Sequence, residues 1–265
     1  YRPPVPGFDA TVPSPARMYD YYLGGKDNFT VDREAAEKAL SVVPDGMWVA
    51  RANRSFLVRA VSFMAERGIR QFIDLGTGIP TSPSVHEVAR AVHADARVLY
   101  VDNEPTVAVH NRALLATSEG VVAIDGDIRQ PYEIFASAEL QELIDFDQPV
   151  GMLFVAVLHF IAEGDDPEGI VRAFTKYMVP GSYLALSHIT SDGTAPHVIA
   201  TIQEAYAKAS APAVFRTKFE IQTFFAGLDM EGPGLADVTE WTAYERISSA
   251  RPTTLRFLAG IGRKP

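Results

Sequence analysis

Gln71-Phe72-Ile73-Asp74-Leu75-Gly76-Thr77-Gly78 is the stretch that decides the fold. Its first five residues make a short apolar run, the length of a buried strand. The two glycines that follow, two positions apart, allow a tight turn and leave no Cβ between the backbone and whatever approaches it. Upstream, Phe56, Leu57, Ala60, Val61 and Met64 recur at helical spacing, and Gly68 stops that helix. Downstream, Ser82 or Ser84 can cap a helix whose Val85, Val88, Ala89 and Val92 share a face. The stretch is therefore a strand between two helices, with a glycine turn at its carboxyl end.

The same alternation continues outward. Arg97 to Asp102 reads as a second strand, and Pro105 opens a helix through about Ala116. Val121 to Ile124 is a third strand, followed by a weaker helix between Tyr132 and Ile144. Val150 to Leu158 is a fourth strand. Asp166 caps and Pro167 opens a helix with Ile170, Val171, Phe174 and Met178 inward, and Tyr183 to His188 is a fifth strand. Strands alternating with helices predict an α/β fold, a mostly parallel sheet covered on both faces. Two helical stretches follow, Ala195 to Lys208 and Lys218 to Gly227. Strand candidates near Ala236 to Trp241 and Thr253 to Ile261 suggest a closing hairpin with one antiparallel strand.

Towards the amino terminus the pattern changes. Prolines at 3, 4, 6, 13 and 15 predict an extended arm. A short helix around Arg17 to Leu23 is broken at Gly24-Gly25. Thr30 to Val43 then reads as a helix with Ala35, Ala36, Ala39 and Leu40 on one face. The expected organisation is an arm and helical cap over residues 1–52 and a Rossmann-like domain over 53–265.

The bulk numbers narrow the function. A net charge of −9, with no run of Lys and Arg, disfavours nucleic acid, whose binders need a basic stripe. No apolar run reaches the length of a membrane helix. No cysteine is present, so disulfides and thiolate metal sites are excluded, and no His and carboxylate spacing suggests another metal centre. Tyr1 to Pro6 shows no signal-peptide core, and a cytoplasmic location is expected. A small-molecule substrate is the favoured partner, with no nucleic acid and no membrane.

Open parallel sheets bind ligands beyond the carboxyl ends of their strands. At the first tip, a dinucleotide site would want a third glycine or alanine, but Thr81 holds that position and Pro80 intrudes. Asp74, just before Gly76, Thr77 and Gly78, suits a cationic ligand better than a pyrophosphate. S-adenosylmethionine carries a sulfonium and an ammonium group, which a carboxylate can hold. The plain alternative is a tight turn with a surface Asp. Asp102 ends the second strand, beside Asn103, where a carboxylate can accept both ribose hydroxyls; otherwise it caps the helix opened by Pro105. Gly126, Asp127 and Ile128 follow the third strand. Asp127 can accept from an adenine amine while Ile128 packs on the ring, or the segment is an ordinary turn.

Three further groups qualify. Tyr19, Tyr21, Tyr22 and Phe29 beside Gly24-Gly25 suggest an aromatic lid, with Tyr22 at the cofactor and Arg17 pairing with the cofactor carboxylate. The alternative is a cap whose aromatics are core. His159 and His188, ending adjacent strands, are candidate general bases, though a histidine on an apolar strand is more often structural.

Several segments resemble a known family, the actinobacterial S-adenosylmethionine methyltransferases once catalogued as a domain of unknown function. They are Phe72 to Thr81, Val98 to Pro105, Asp127 to Pro131, Val155 to Phe160, Pro15 to Phe29, Asn53-Arg54 and the Gly-Arg-Lys-Pro end. The resemblance spans nearly the whole chain; Glu104 stands where an Asp is expected. It implies a class I methyltransferase fold with seven strands, S-adenosyl-L-methionine as cofactor and S-adenosyl-L-homocysteine as product. It does not imply a substrate. Transfer to a small-molecule O, N or C nucleophile is the expected activity. The alternatives are an NAD-dependent oxidoreductase and a non-catalytic regulatory protein that keeps the cofactor fold.

Overall fold

The computed structural model describes residues 9–115, 118–241 and 253–265. The amino-terminal part is helical: α1 (Pro15–Leu23), α2 (Thr30–Leu40) and the long α3 (Gly46–Glu66). Gly24 ends α1 in the left-handed conformation, φ +86°, as the Gly-Gly turn predicts. The division expected at residues 52 and 53 falls inside α3, so cap and sheet domain share one helix. The arm's first eight residues lie outside the described residues.

Strands and helices then alternate. They are β1 (Gln71–Leu75), α4 (Val85–Arg90), β2 (Arg97–Asp102), α5 (Pro105–Leu114), β3 (Val121–Asp125), α6 (Pro131–Ala136), α7 (Ala138–Leu143), β4 (Gly151–Val155), α8 (Pro167–Thr175), β5 (Tyr183–Ile189), α9 (Pro196–Tyr206) and α10 (Lys218–Thr223). Three strands close the sheet: β6 (Asp229–Met230), β7 (Ala236–Asp237) and β8 (Phe257–Arg263). Ser84, not Ser82, caps α4, accepting from the Glu87 N–H. Asp166 caps α8 as predicted. Ala116, at the expected end of α5, lies outside the described residues.

The sheet order is β3-β2-β1-β4-β5-β8-β6, with β7 also on β8. The first five strands are parallel, and β8 runs antiparallel to β5, β6 and β7. β6 pairs with Arg263 and Gly262, whereas β7 pairs with Ala259 and Leu258. The two short pieces thus share one edge position, a seventh strand interrupted at Gly232-Pro233-Gly234. The sequence predicts only the second piece, because the interruption leaves two residues on each side, too few for an alternating pattern.

Side chains alternate between two cores, as strand geometry requires. Phe72, Val98, Tyr100 and Leu153 pack under α3, α4 and α9, while Ile73, Leu75, Leu99, Val101 and Phe154 pack on the opposite side against α6, α7 and α8. The order reverses at β1, which lies between β2 and β4. Such a reversal opens a crevice at the carboxyl ends of these strands.

One expected strand is too long. β4 stops at Val155, because Ala156 takes a positive φ of 58°, and its N–H is shared between the Ser187 hydroxyl at 3.0 Å and the Ser187 carbonyl at 3.3 Å. Leu158–Phe160 then form a single tight helical turn. His159 therefore does not end a strand. No helix among the described residues is long and apolar enough to cross a membrane.

Candidate active site

A cleft of about 410 Å³ opens at the crevice, within the range of small-molecule sites. Asp74, Gly76, Thr77, Gly78, Asp102, Asn103, Gly126, Asp127 and Ile128 all line it, and so does Arg17 from the cap. The first three strand tips thus converge on one space.

Asp102 ties two of them together. Its Oδ2 accepts the Gly78 N–H at 2.8 Å, and its Oδ1 accepts the Glu104 N–H at 2.9 Å. Burial pushes its carboxyl up to about 6, against the pull of these two N–H groups. Gly76 and Gly78 both hold positive φ, 74° and 66°. A Cβ on Gly76 would stand 2.3 Å from Val157, so the first glycine admits the chain after β4. A Cβ on Gly78 would meet nothing within 4 Å; this glycine opens on the cleft.

Asp74 is 4% exposed, and no protein group donates to its carboxyl among the described residues. Burial pushes it up to about 7, the Arg54 guanidinium pulling down and Asp102 pushing up. Asp127 differs. Burial raises its carboxyl, but Arg129 outweighs that and leaves it below the ordinary value, with its backbone N–H and Nε each at 2.9 Å.

The two site candidates of the cap lie in different places. Arg17 is 2% exposed, and its guanidinium is committed to protein acceptors: Asp32 at 2.8 Å, Glu104 at 2.9 Å and the Val12 carbonyl at 2.6 Å. It clamps α1 to the tip of β2 rather than offering a free fork to a ligand carboxylate. Tyr22 does not line the cleft. It lies on a smaller cavity, its hydroxyl 3.4 Å from that of Tyr206. Tyr19 lines both spaces. Its hydroxyl donates to the Ala50 carbonyl at 3.0 Å and accepts from Asn53 at 2.8 Å. Asn53 in turn accepts from Ser187 at 2.6 Å, so a buried polar chain runs from the β4 tip to the cap.

The candidate bases are also placed differently. His188 is fully buried. Its Nδ1 bonds the Ile189 carbonyl at 2.6 Å and its Nε2 faces an Arg216 N–H at 2.8 Å. A carbonyl can only accept and a guanidinium only donate, so the ring is a neutral tautomer with both nitrogens engaged. Burial drives it down to about 3. It has no lone pair left to act as a base. His159 lines the smaller cavity, not the cleft. Burial, with His188 and Arg216 nearby, holds it well below its ordinary value.

The sequence reading misses Arg216, which also donates to the Leu158 and Ile161 carbonyls and pairs with Glu163. A single Arg before a Thr-capped helix carries no signal of its role. Leu57, Phe160, Ser210 and Ala211 also line the cleft from elements whose approach only the fold reveals.

Comparison with known proteins is consistent with this geometry. A family model described as S-adenosyl methyltransferase matches residues 4–265. A DUF574-family protein from Streptomyces avermitilis is 37% identical, with a TM-score of 0.91, covering 97% of this chain and 99% of that one. A candidate methyltransferase from Thermobifida fusca is also 37% identical, with a TM-score of 0.91 and 98% of each chain covered. The N-methyltransferase NodS from Bradyrhizobium japonicum, at 12% identity and a TM-score of 0.50 over 83% of this chain and 99% of that one, shares the fold alone. No curated protein matches the chain.

Proposed function

The chain belongs to the S-adenosyl methyltransferase family, and from that premise we propose that the cleft at the strand tips holds S-adenosylmethionine and that a small-molecule O, N or C nucleophile takes the methyl group. Asp74 carries the reading. A buried carboxylate with no protein donor among the described residues, beside a glycine that opens on free space, suits a cationic ligand.

The cofactor, when bound, supplies an electrophilic methyl on sulfur, and the transfer is an in-line displacement. The residues here bind and align. Asp74 holds the ammonium end by a charge-assisted hydrogen bond. Asp102 fixes the Gly76-Thr77-Gly78 turn and offers its remaining lone pairs, beside Asn103, to the ribose hydroxyls. Ile128 and Gly126 bound the adenine, and Asp127 accepts its amine once the half-exposed Arg129 gives way. The cap over residues 9–52, pinned by Arg17, excludes water from the reacting atoms. Orientation alone can supply a large part of the acceleration. The acidic balance of the chain supports a small acceptor rather than nucleic acid. A cytoplasmic location, supported by a chain without cysteine, belongs to the same proposal.

Calorimetry with S-adenosylhomocysteine and with NAD tests the cofactor. Saturable binding of the first and not the second is expected, and tight NAD binding alone would overturn the reading.

A further inference from the structure

The smaller cavity has a volume of about 70 Å³ and adjoins the cleft. It lies between α1, α2, α3 and α9 and the ends of β5 and β8, and Tyr19 and Phe160 belong to both walls. Among the described residues, no charged side chain lines it. Its polar groups are three tyrosine hydroxyls and the His159 imidazole. Tyr19 is satisfied by Ala50 and Asn53, and Tyr22 faces Tyr206.

His159 is the exception. It is 5% exposed, and its Nδ1 is buried with no hydrogen-bond partner among the described residues. The ring is boxed by Phe160, His188 and Phe257, with centroids 4.3, 5.4 and 5.5 Å away. Neither ring nitrogen bonds a described residue, and buried polar groups in native proteins are nearly always paired, so an imidazole that lines a cavity without a partner calls for one that enters it.

We propose that this cavity seats a small uncharged group of the methyl acceptor, and that His159 is its hydrogen-bonding anchor. The proposal rests on the methyl-transfer reading of the adjoining cleft. The volume is roughly half of the 150 Å³ that accommodates benzene, so the group has a handful of heavy atoms, and the rest of the acceptor extends past Tyr19 and Phe160. A charged group would be desolvated against Ala39, Leu40, Val43 and Ile202 with no counter-charge. A neutral imidazole offers one donor and one acceptor, which a hydroxyl or a neutral amine can match.

Isopropanol, acetate and isopropylammonium, near-isosteric probes of three charges, test this on the full chain. Each is titrated while the nitrogen-15 resonances of the His159 ring are followed. Isopropanol is expected to shift them saturably and to bind at least about tenfold more tightly than either ion. It should still bind with S-adenosylhomocysteine present. His159→Phe should weaken isopropanol by about tenfold or more while calorimetric affinity for S-adenosylhomocysteine, the check on folding, is retained. No saturable shift, equal binding of an ion, unchanged binding in His159→Phe, or displacement by S-adenosylhomocysteine would each overturn the proposal. Failure of S-adenosylhomocysteine to bind the wild type would instead sink the cofactor reading, and the isopropanol titration would still judge the cavity.

Discussion

The Asp102 carboxylate accepts the Gly78 N–H at 2.8 Å, so the tip of β2 holds the turn that follows β1. One side chain thereby serves the shape of the cleft and, in the proposed function, its ligand. Asp102→Ala should weaken S-adenosylhomocysteine by at least about 10- to 100-fold, the loss of even one hydrogen bond to a charged group being worth about 1.5–3 kcal/mol. Calorimetric affinity within twofold of wild type would refute the ribose assignment.

The pH dependence of stability follows from Asp74, whose carboxyl stands at about 7 in the fold and near 3.9 in an unfolded chain. A folded-state value raised this far favours the native state fully below about 4, and that contribution is lost as pH rises through 7. Asp102, at about 6, adds the same trend over a narrower window. Thermal melts of the ligand-free protein should therefore lose ground to Asp74→Asn between about pH 4 and 7. Parallel curves for the two proteins would contradict it. Binding has the opposite sign, because the cationic ligand needs the ionised carboxylate and should bind more tightly above pH 7 than below.

Arg17 and Asp32 are both almost wholly buried, 2.8 Å apart. Removing one partner of such a pair costs about 3–5 kcal/mol, because the other charge is left stranded. Arg17→Met should lower the urea midpoint accordingly, and should weaken cofactor binding through the lost contact with Glu104. A change under 1 kcal/mol would mean that the clamp does not form in solution.

Ala156 occupies the left-handed region at φ 58°. Ala→Gly normally destabilises by about 0.5–1 kcal/mol, but here the substitution also relieves about 1–2 kcal/mol of backbone strain. Ala156→Gly should be neutral or stabilising by up to about 1.5 kcal/mol in denaturant titrations, and Ala156→Val clearly destabilising. A loss of 1 kcal/mol or more for Ala156→Gly would argue against the strained turn.

Arg216 fills the buried space between His188 and the carbonyls of Leu158 and Ile161. Arg216→Lys keeps the charge but not the planar fork. It should cost about 2–4 kcal/mol, by the stranding of buried acceptors. His188, neutral and engaged at both nitrogens, should add no limb near pH 6.5 to a rate profile once an acceptor is known. Such a limb, abolished in His188→Gln, would restore it as a base.

What was legible in the sequence was local. Asp74, the glycines and Asp102 sit where a strand meets a turn, and strand tips in a parallel sheet share one edge, so pattern and topology together locate the cleft. The cap's Arg17 was visible as a partner for the cofactor carboxylate only because the motif around it is distinctive. Its partners Asp32 and Glu104 arrive from other elements, and sequence spacing carries no trace of that. The placement of the two histidines was hidden for a related reason. A continuous apolar run from Val150 to Leu158 hides the point at which Ala156 turns, and the Arg that neutralises the claim of His188 lies 28 positions downstream.

The split edge at β6 and β7 bears on behaviour at high concentration. A long open rim invites the strands of a second molecule to add on. Here the rim offers two residues, a Gly-Pro-Gly detour and two residues more, with a proline that has no N–H to give. Among the described residues, that flank of the sheet presents no ladder long enough to template a neighbour.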